Sequence, residues 1–329
     1  MNNFKKIGMT ALAASLVSTS VFAGELTATG SAGMTVEGYS GSALQSDTGY
    51  SMSDSVVLSG STELDNGMTV SMSFELDSDN PSTSSYDDKS VTVSSDTLGT
   101  LTLAGHGGSS ATSAVDATAA GNIYDNFDGD AGASGNGLTS AGVSLLAAAG
   151  GANNLYYSLP AMVDGLAMNA SLNTAGDTGN NALGFNLIYT GVEGLSLTYA
   201  QADIEGGSAA ANGDHTVMNA SYAYGPVTVA YTNSDYSVGA ANSKTLAQEV
   251  TSYAISYTVS DAISLTYGTE TLESGSSSDV DSEYEGITAS YTAGGMTISL
   301  TSQDAKNIDY STNADEDYEY WALGLSFAF

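Results

Sequence analysis

The stretch MTVSMSFELD at residues 68–77 alternates strictly between apolar and polar side chains. Successive side chains of a β-strand point to opposite faces, so this alternation predicts a strand with one apolar and one polar face. The pattern recurs along the chain and runs to its last residue, where one face carries Trp321, Leu323, Leu325, Phe327 and Phe329. After residue 23, helical periodicity is confined to residues 141–149. The sequence therefore predicts an all-β protein.

The connections between the predicted strands alternate in length. Seven are tight and include Asp65-Asn66-Gly67 and Gly225-Pro226. Eight are long and rich in Gly, Ser and Asp, and they span residues 39–50, 78–88, 106–151, 174–182, 204–214, 237–247, 273–282 and 305–317. Fifteen connections join sixteen strands, and the alternation puts both chain ends on the side of the short turns.

The composition excludes several classes of function. The chain has 5 Lys+Arg against 37 Asp+Glu, a formal net charge of -32, and it contains no Arg, which excludes a nucleic-acid partner. With no Cys and only two His, disulfide frameworks, thiolate zinc sites and cysteine nucleophiles are absent, and a histidine metal centre is disfavoured. No serine-nucleophile motif stands in a strand-to-helix context. We therefore expect no enzyme activity and no cofactor.

The first 23 residues have the features of an export signal. Lys5 and Lys6 precede an apolar stretch at 7–17, and Val21-Phe22-Ala23 supplies small residues at the positions that a signal peptidase reads. This predicts a signal peptide at 1–23 and a mature β-barrel domain at 24–329.

Two architectures can use many alternating strands. A soluble sandwich or propeller hides its apolar faces in a core, whereas a transmembrane barrel turns them toward lipid around a polar interior. The polar faces here are mostly Ser, Thr, Gly and Asn rather than the Lys and Glu of a soluble surface. Together with export and the alternating connections, this predicts a 16-stranded antiparallel transmembrane β-barrel in the Gram-negative outer membrane, with short periplasmic turns and long external loops.

Several segments resemble the trimeric general diffusion porins of Gram-negative bacteria, in particular the alphaproteobacterial type. They are Gly24-Glu25-Leu26-Thr27, the turn at 64–68, residues 98–103 before the loop at 106–151, Leu155-Tyr156-Tyr157-Ser158 after it, and the terminal Phe329. The resemblance implies a homotrimer whose third loop folds into each pore and narrows it. It also implies that Phe329, with Phe327 and Trp321, forms the signal read by the barrel-assembly machinery. Familiar members oppose loop carboxylates with an arginine cluster, and this chain has no Arg to build one.

Carboxylates in and around the long loop are the candidate selectivity filter. Loop acids in a narrow wet passage concentrate cations, and parity places further acids on the lumen wall. The candidates are Asp116, Asp125, Asp128 and Asp130 on the loop and Glu75, Asp77 and Glu270 on the wall. The alternative is that these acids only solvate the loop and the strand ends. Calcium on Asp125, Asp128 and Asp130 stays open, although their spacing does not match an EF-hand.

The outward-facing residues predict the barrel's surroundings. Outward Tyr residues and Trp321 are typical of an interfacial girdle against outer-membrane lipid. The first five strands have one outward aromatic residue, Phe74, among small residues such as Gly30 and Gly60, which predicts a contact with another subunit.

The leading functional hypothesis is passive diffusion of small hydrophilic solutes, with cations favoured. A substrate-specific channel is the second, and inward Tyr318 and Tyr320 are its only hint. The third is an acidic, calcium-binding surface structural or adhesive protein. His106 faces inward at the base of the loop and is expected to have a structural role.

Overall fold

Sixteen strands make up most of the structure. The computed structural model describes residues 26–41, 48–77, 86–127, 153–174, 181–205, 213–238, 248–276, 279–310, 312 and 317–329. The strands are β1 Thr27–Gly41, β2 Thr48–Glu63, β3 Thr69–Asp77, β4 Tyr86–Ser95, β5 Gly99–His106, β6 Asn154–Ser158, β7 Leu166–Thr174, β8 Asn181–Tyr189, β9 Leu195–Glu205, β10 Gly213–Tyr224, β11 Val227–Val238, β12 Gln248–Ser260, β13 Ile263–Ser274, β14 Ser282–Ala293, β15 Met296–Lys306 and β16 Tyr318–Ala328. Short 3-10 helices occur at Ile123–Phe127 and Ile308–Tyr310.

Every strand pairs antiparallel with its neighbours in sequence, and β1 pairs with β16 to close a barrel. Closure leaves no strand edge with unpaired backbone groups, which is the condition a sheet must meet in lipid. The predicted strand number and fold class are confirmed. Within the described part of the chain, no helix is long and apolar enough to cross a membrane.

The apolar faces of the strands point outward. On β12 the outward Tyr253, Ile255 and Tyr257 are about half exposed, whereas the inward Ser252 is fully buried. A soluble barrel would show the reverse arrangement. The outer surface is a band of exposed aliphatic and aromatic residues, far larger than the apolar patch of a typical soluble monomer. This band identifies the outer face as the one that lipid covers.

The strand ends depart from the sequence analysis in one consequential place. β2 begins at Thr48, inside the segment expected to be a loop, and Tyr50 pairs with the outward Val36. Tyr50 is 76% exposed, so the statement that Phe74 is the one outward aromatic of the first five strands was wrong. Alternation failed to reveal Tyr50 because its strand continues from a Ser- and Gly-rich segment.

The barrel closes where its last residue meets its first strand. Gly30 and Phe329 exchange two backbone hydrogen bonds, with N···O distances of 2.8 and 3.0 Å. A Cβ atom on Gly30 would lie 2.5 Å from the Phe329 ring, and one on Gly38 would lie 2.7 Å from the Trp321 indole nitrogen. Gly30 was predicted to leave room for another subunit, but the chain's own terminal ring fills that space. Phe327, which pairs with Ala32, stays partly exposed on the same seam.

Candidate pore constriction

The loop after β5 folds into the barrel and runs along its inner wall. Gly107 starts it with a φ of 65°, and its missing side chain leaves space that Asp88 occupies. The first contacts are with β7 and β8. The Ala111 N–H donates to Ser171 Oγ at 2.7 Å, and Asn186 Nδ2 donates to the Ala111 carbonyl at 2.7 Å. These bonds satisfy loop backbone groups with the small polar side chains that cover the inner wall.

The next contacts hold the middle of the loop against β10, β12 and β13. Asn219 Nδ2 donates to the Val115 carbonyl at 2.6 Å, and the Ala120 N–H donates to Ser252 Oγ at 2.9 Å. The close approach of Ala120 depends on a glycine of β13, since a Cβ on Gly268 would lie 2.4 Å from the Ala120 Cβ.

Glu270 on β13 is the central anchor. Its carboxylate accepts hydrogen bonds from the Thr118 hydroxyl and from the Tyr124 N–H, the latter at 3.1 Å. The side chain points inward, as parity predicted, but it is only 1% exposed. The loop covers it, so Glu270 holds the loop in place rather than lining the open passage. Sequence reasoning missed this because the bonds join residues that lie about 150 positions apart.

Aromatic residues form the last contact, against β14–β16 and β1. Phe127 packs edge-on against Tyr39 and Tyr320, and Tyr39 donates a hydrogen bond to the Asn126 carbonyl at 2.8 Å. Tyr318 and Tyr320 are both 6% exposed, and Tyr320 donates to Glu37 Oε2 at 2.9 Å. Both rings are therefore packed in the wall, and they give no support to the hypothesis of a substrate-specific channel.

Two of the four candidate loop carboxylates lie in the described part of the loop. Asp125 is exposed on the 3-10 helix. Burial raises the pKa of Asp116 to about 6, a hydrogen bond to the backbone opposes this rise, and the negative charge of Asp125 adds to it. Asp116 and Asp125 are therefore close enough for their charges to repel each other. Asp128 and Asp130 lie outside the described residues, and so does most of the proposed calcium triad.

Among the described side chains, no group of three or more acids or histidines is placed to hold a metal ion. The inner faces of β2–β6, which we call the open wall, carry a different set of groups. A cavity of about 460 Å³ lies between this wall and the first loop residues. Glu75 lines it, together with Asp88, Lys89 and His106. Asp77 ends β3 on the same inner face, opposite Ser55. The His106 Nδ1 and Asp88 Oδ1 atoms are 3.8 Å apart.

Asn154 on β6 lines the same cavity and was missed in the sequence. It is 2% exposed, and neither its amide nitrogen nor its amide oxygen has a hydrogen-bond partner in the described part of the chain. An unsatisfied buried polar group costs about 1–3 kcal/mol, so this side chain lowers the stability of the wall. Asn154 lies two residues before Tyr156 on β6, so alternation could have placed both side chains inward. Nothing in the sequence shows that the amide of Asn154 lacks a partner.

A closed barrel with an apolar outer band, a polar lumen and a loop fixed inside it is a channel of the outer-membrane type. The profile of the Gram-negative porin family matches residues 8–329, and the chain belongs to that family. The protein is therefore an outer-membrane porin rather than an enzyme. No curated protein sequence matches the chain significantly.

Solved porin structures share the fold at low sequence identity. An anion-selective porin from Comamonas acidovorans is 15% identical, with a TM-score of 0.64 over 93% of this chain and 99% of that one. OmpF of Salmonella typhi, in complex with daunomycin, is 12% identical, with a TM-score of 0.67 over 93% and 98%. A porin whose structure was refined at 1.8 Å is 19% identical, with a TM-score of 0.61 over 93% and 100%.

Proposed function

We propose that this porin is a cation-preferring channel for passive diffusion of small hydrophilic solutes and ions. The supporting observation is that Asp116 and Asp125 sit on a loop pinned inside the lumen of a chain without arginine. The Comamonas relative is described as anion-selective. Since that protein shares the fold, the sign of selectivity must come from the residues in the passage.

The magnitude of the field favours this proposal. Two unit charges ~7 Å apart interact by about 0.6 kcal/mol in bulk water and by ~2.4 kcal/mol at an effective dielectric constant of about 20. Glu75 and Asp88 line the open-wall cavity, where Lys89 is the one lysine among the described lining residues, and Asp116 and Asp125 add two further carboxylates on the loop. Their summed effect on a passing ion reaches several times RT, which is enough to discriminate between ion signs.

The test is the reversal potential of single channels in a salt gradient. In Asp116→Asn/Asp125→Asn we expect the potential to move toward zero, most clearly at low ionic strength, where the Debye length is ~30 Å. Asp261→Asn, in the exposed turn between β12 and β13, is the matched control and should change nothing. An anion-preferring wild type would reject the proposal.

We further propose that the barrel forms a homotrimer through the outward face of its first strands and that the assembly machinery reads the terminal aromatics. Gly60 supports this interface, because a Cβ there would meet only Leu26 among the described residues, at 4.0 Å. Gly60→Leu should dissociate the oligomer at a lower temperature in unboiled gels while the barrel stays folded. Gly30→Leu is the contrasting variant and should impair barrel closure by displacing Phe329. An unchanged oligomer in Gly60→Leu would move the interface elsewhere.

The surface-protein alternative makes a different prediction. A structural or calcium-binding adhesive protein would leave liposomes impermeable to neutral sugars, whereas a diffusion channel would make them swell. Asp116 and Asp125 favour the channel, because their loop lies inside the barrel rather than on its outer rim.

A further inference from the structure

The cavity beside the open wall combines three properties of a binding site. It encloses about 460 Å³, within the range of sites that hold small organic ligands. It carries the carboxylates of Glu75 and Asp88, and it carries the buried amide of Asn154. We propose that it binds short peptides, with the N-terminal ammonium group at Glu75 and a peptide amide at Asn154. This goes beyond the proposed function, because a cation-preferring pore needs no amide recognition.

The amide of Asn154 carries the first half of the argument. Both of its polar atoms are buried and lack a partner among the described residues, so a ligand that gains access to this side chain finds an unused donor and an unused acceptor. Two asparagines on other strands use their amide nitrogens to hold the loop. Asn186 donates to the Ala111 carbonyl and Asn219 to the Val115 carbonyl, although the amide oxygen of Asn219 is also unpaired among the described residues. A peptide bond presents one acceptor and one donor, and is therefore the complement of a free carboxamide.

Glu75 carries the second half. It is half-buried on β3 and forms no hydrogen bond or ion pair with any described residue. Asp88 differs, because His106 lies 3.8 Å from it. A primary ammonium supplies three donors and one positive charge, which match an unpaired carboxylate.

The spacing of the two residues selects a peptide over a single amino acid. β3 and β6 are separated by β4 and β5, which places their backbones ~14 Å apart along the wall at ~4.8 Å per strand. The strand register sets Asn154 level with Ser73, two residues or ~7 Å along the strand from Glu75, so the combined backbone span is ~16 Å. Inward side chains shorten this span by several ångströms. An extended peptide advances ~3.3–3.6 Å per residue, so about three residues cover the distance and one does not.

Ion-current interruption in planar bilayers tests the inference with three probes. They are trialanine amide, its N-acetylated form without the ammonium group, and a linear alkyl ammonium of equal length without amides. We expect trialanine amide to interrupt the wild-type current with the longest dwell times. Asn154→Leu should weaken that block about tenfold, as for one lost hydrogen-bonded contact, and leave the alkyl ammonium block unchanged.

Glu75→Gln is the second variant and should weaken the block by both cations while leaving the N-acetyl probe unaffected. Ser256→Ala, on the lumen face of β12 away from the cavity, is the control for general changes in the lumen. If trialanine amide fails to block the wild type, or blocks Asn154→Leu equally well, the inference is overturned. If Asn154→Leu does not assemble, Asn154→Ala replaces it.

The reversal potential of the same channels separates this inference from the proposed function. Loss of cation preference with an intact, Asn154-dependent block would reject only the proposed function. A cation-preferring channel that handles trialanine amide like the alkyl ammonium would reject only the peptide site.

Discussion

The two inner walls of this porin use their polar residues in opposite ways. The anchoring wall consists of the inner faces of β7, β8, β10, β12–β16 and β1. There the carboxylate of Glu270 and the amide nitrogens of Asn186 and Asn219 bind the loop. On the open wall, Glu75 and Asn154 have no hydrogen-bond partner among the described residues. The same residue types therefore hold the loop on one side of the lumen and stay unpaired in the described structure on the other. The role of an inward acid or asparagine in this pore is therefore set by whether the loop covers it, and not by the chemistry of its side chain alone.

Removing one carboxylate from each wall in turn should produce the largest difference in stability between two variants. Glu270→Ala leaves the Thr118 hydroxyl and the Tyr124 N–H without their acceptor, and bonds to a charged group are each worth about 1.5–3 kcal/mol. We expect a lower free energy of unfolding in urea and a larger, noisier single-channel conductance as the loop leaves the wall. Glu75→Ala is the matched change on the open wall and should reduce cation preference with little loss of stability. Equal destabilisation by both variants would contradict the comparison.

A pH titration should produce an intermediate effect. The pKa of Asp116 is raised to about 6, so this group is neutral below that pH and charged above it. Cation preference should therefore fall as the pH is lowered from 7 to 5. Because the folded-state pKa lies above the unfolded value, acidification through this window also stabilises the docked loop. Reversal potentials across this range check the effect, and Asp116→Asn should remove it. A flat profile in the wild type would show that Asp116 does not face the ion path.

Removing one hydroxyl from the aromatic contact should have the smallest effect. Tyr39→Phe deletes the bond to the Asn126 carbonyl but keeps the ring packed on Phe127. We expect a loss of about 1 kcal/mol in unfolding free energy and a modest rise in current noise. Tyr157→Phe deletes a comparable tyrosine bond, to the Leu98 carbonyl, away from the loop, and should leave the noise unchanged. A larger effect from Tyr157→Phe would mean that the noise does not report on the loop.

The strands were predictable because the alternation that defines each strand lies within a few consecutive residues. Alternation over 68–77 and its repeats reports which face meets lipid, and each of the eight long connections falls between two consecutive strands, although some overlap the strand ends, as 39–50 does with β2. The roles of individual acids were not predictable. Whether Glu270 is an anchor or a filter depends on contacts with Thr118 and Tyr124, far away in sequence. Parity correctly turned Glu270 and Glu75 inward but could not show which of them the loop would cover.

The pairing of Gly30 with Phe329 has a consequence for how the protein is made. The pairing of β1 with β16 joins positions about 290 residues apart, so it cannot form until β16 has been synthesised. Contacts of such long range are the slowest to form, and every earlier intermediate has two unpaired edges that can aggregate. β1 and β16 pair from Ser31–Ala328 to Gly41–Tyr318, so a chain without β16 has no partner for β1 and remains an open sheet. The barrel can therefore hide both of its edges only after this last strand has been made.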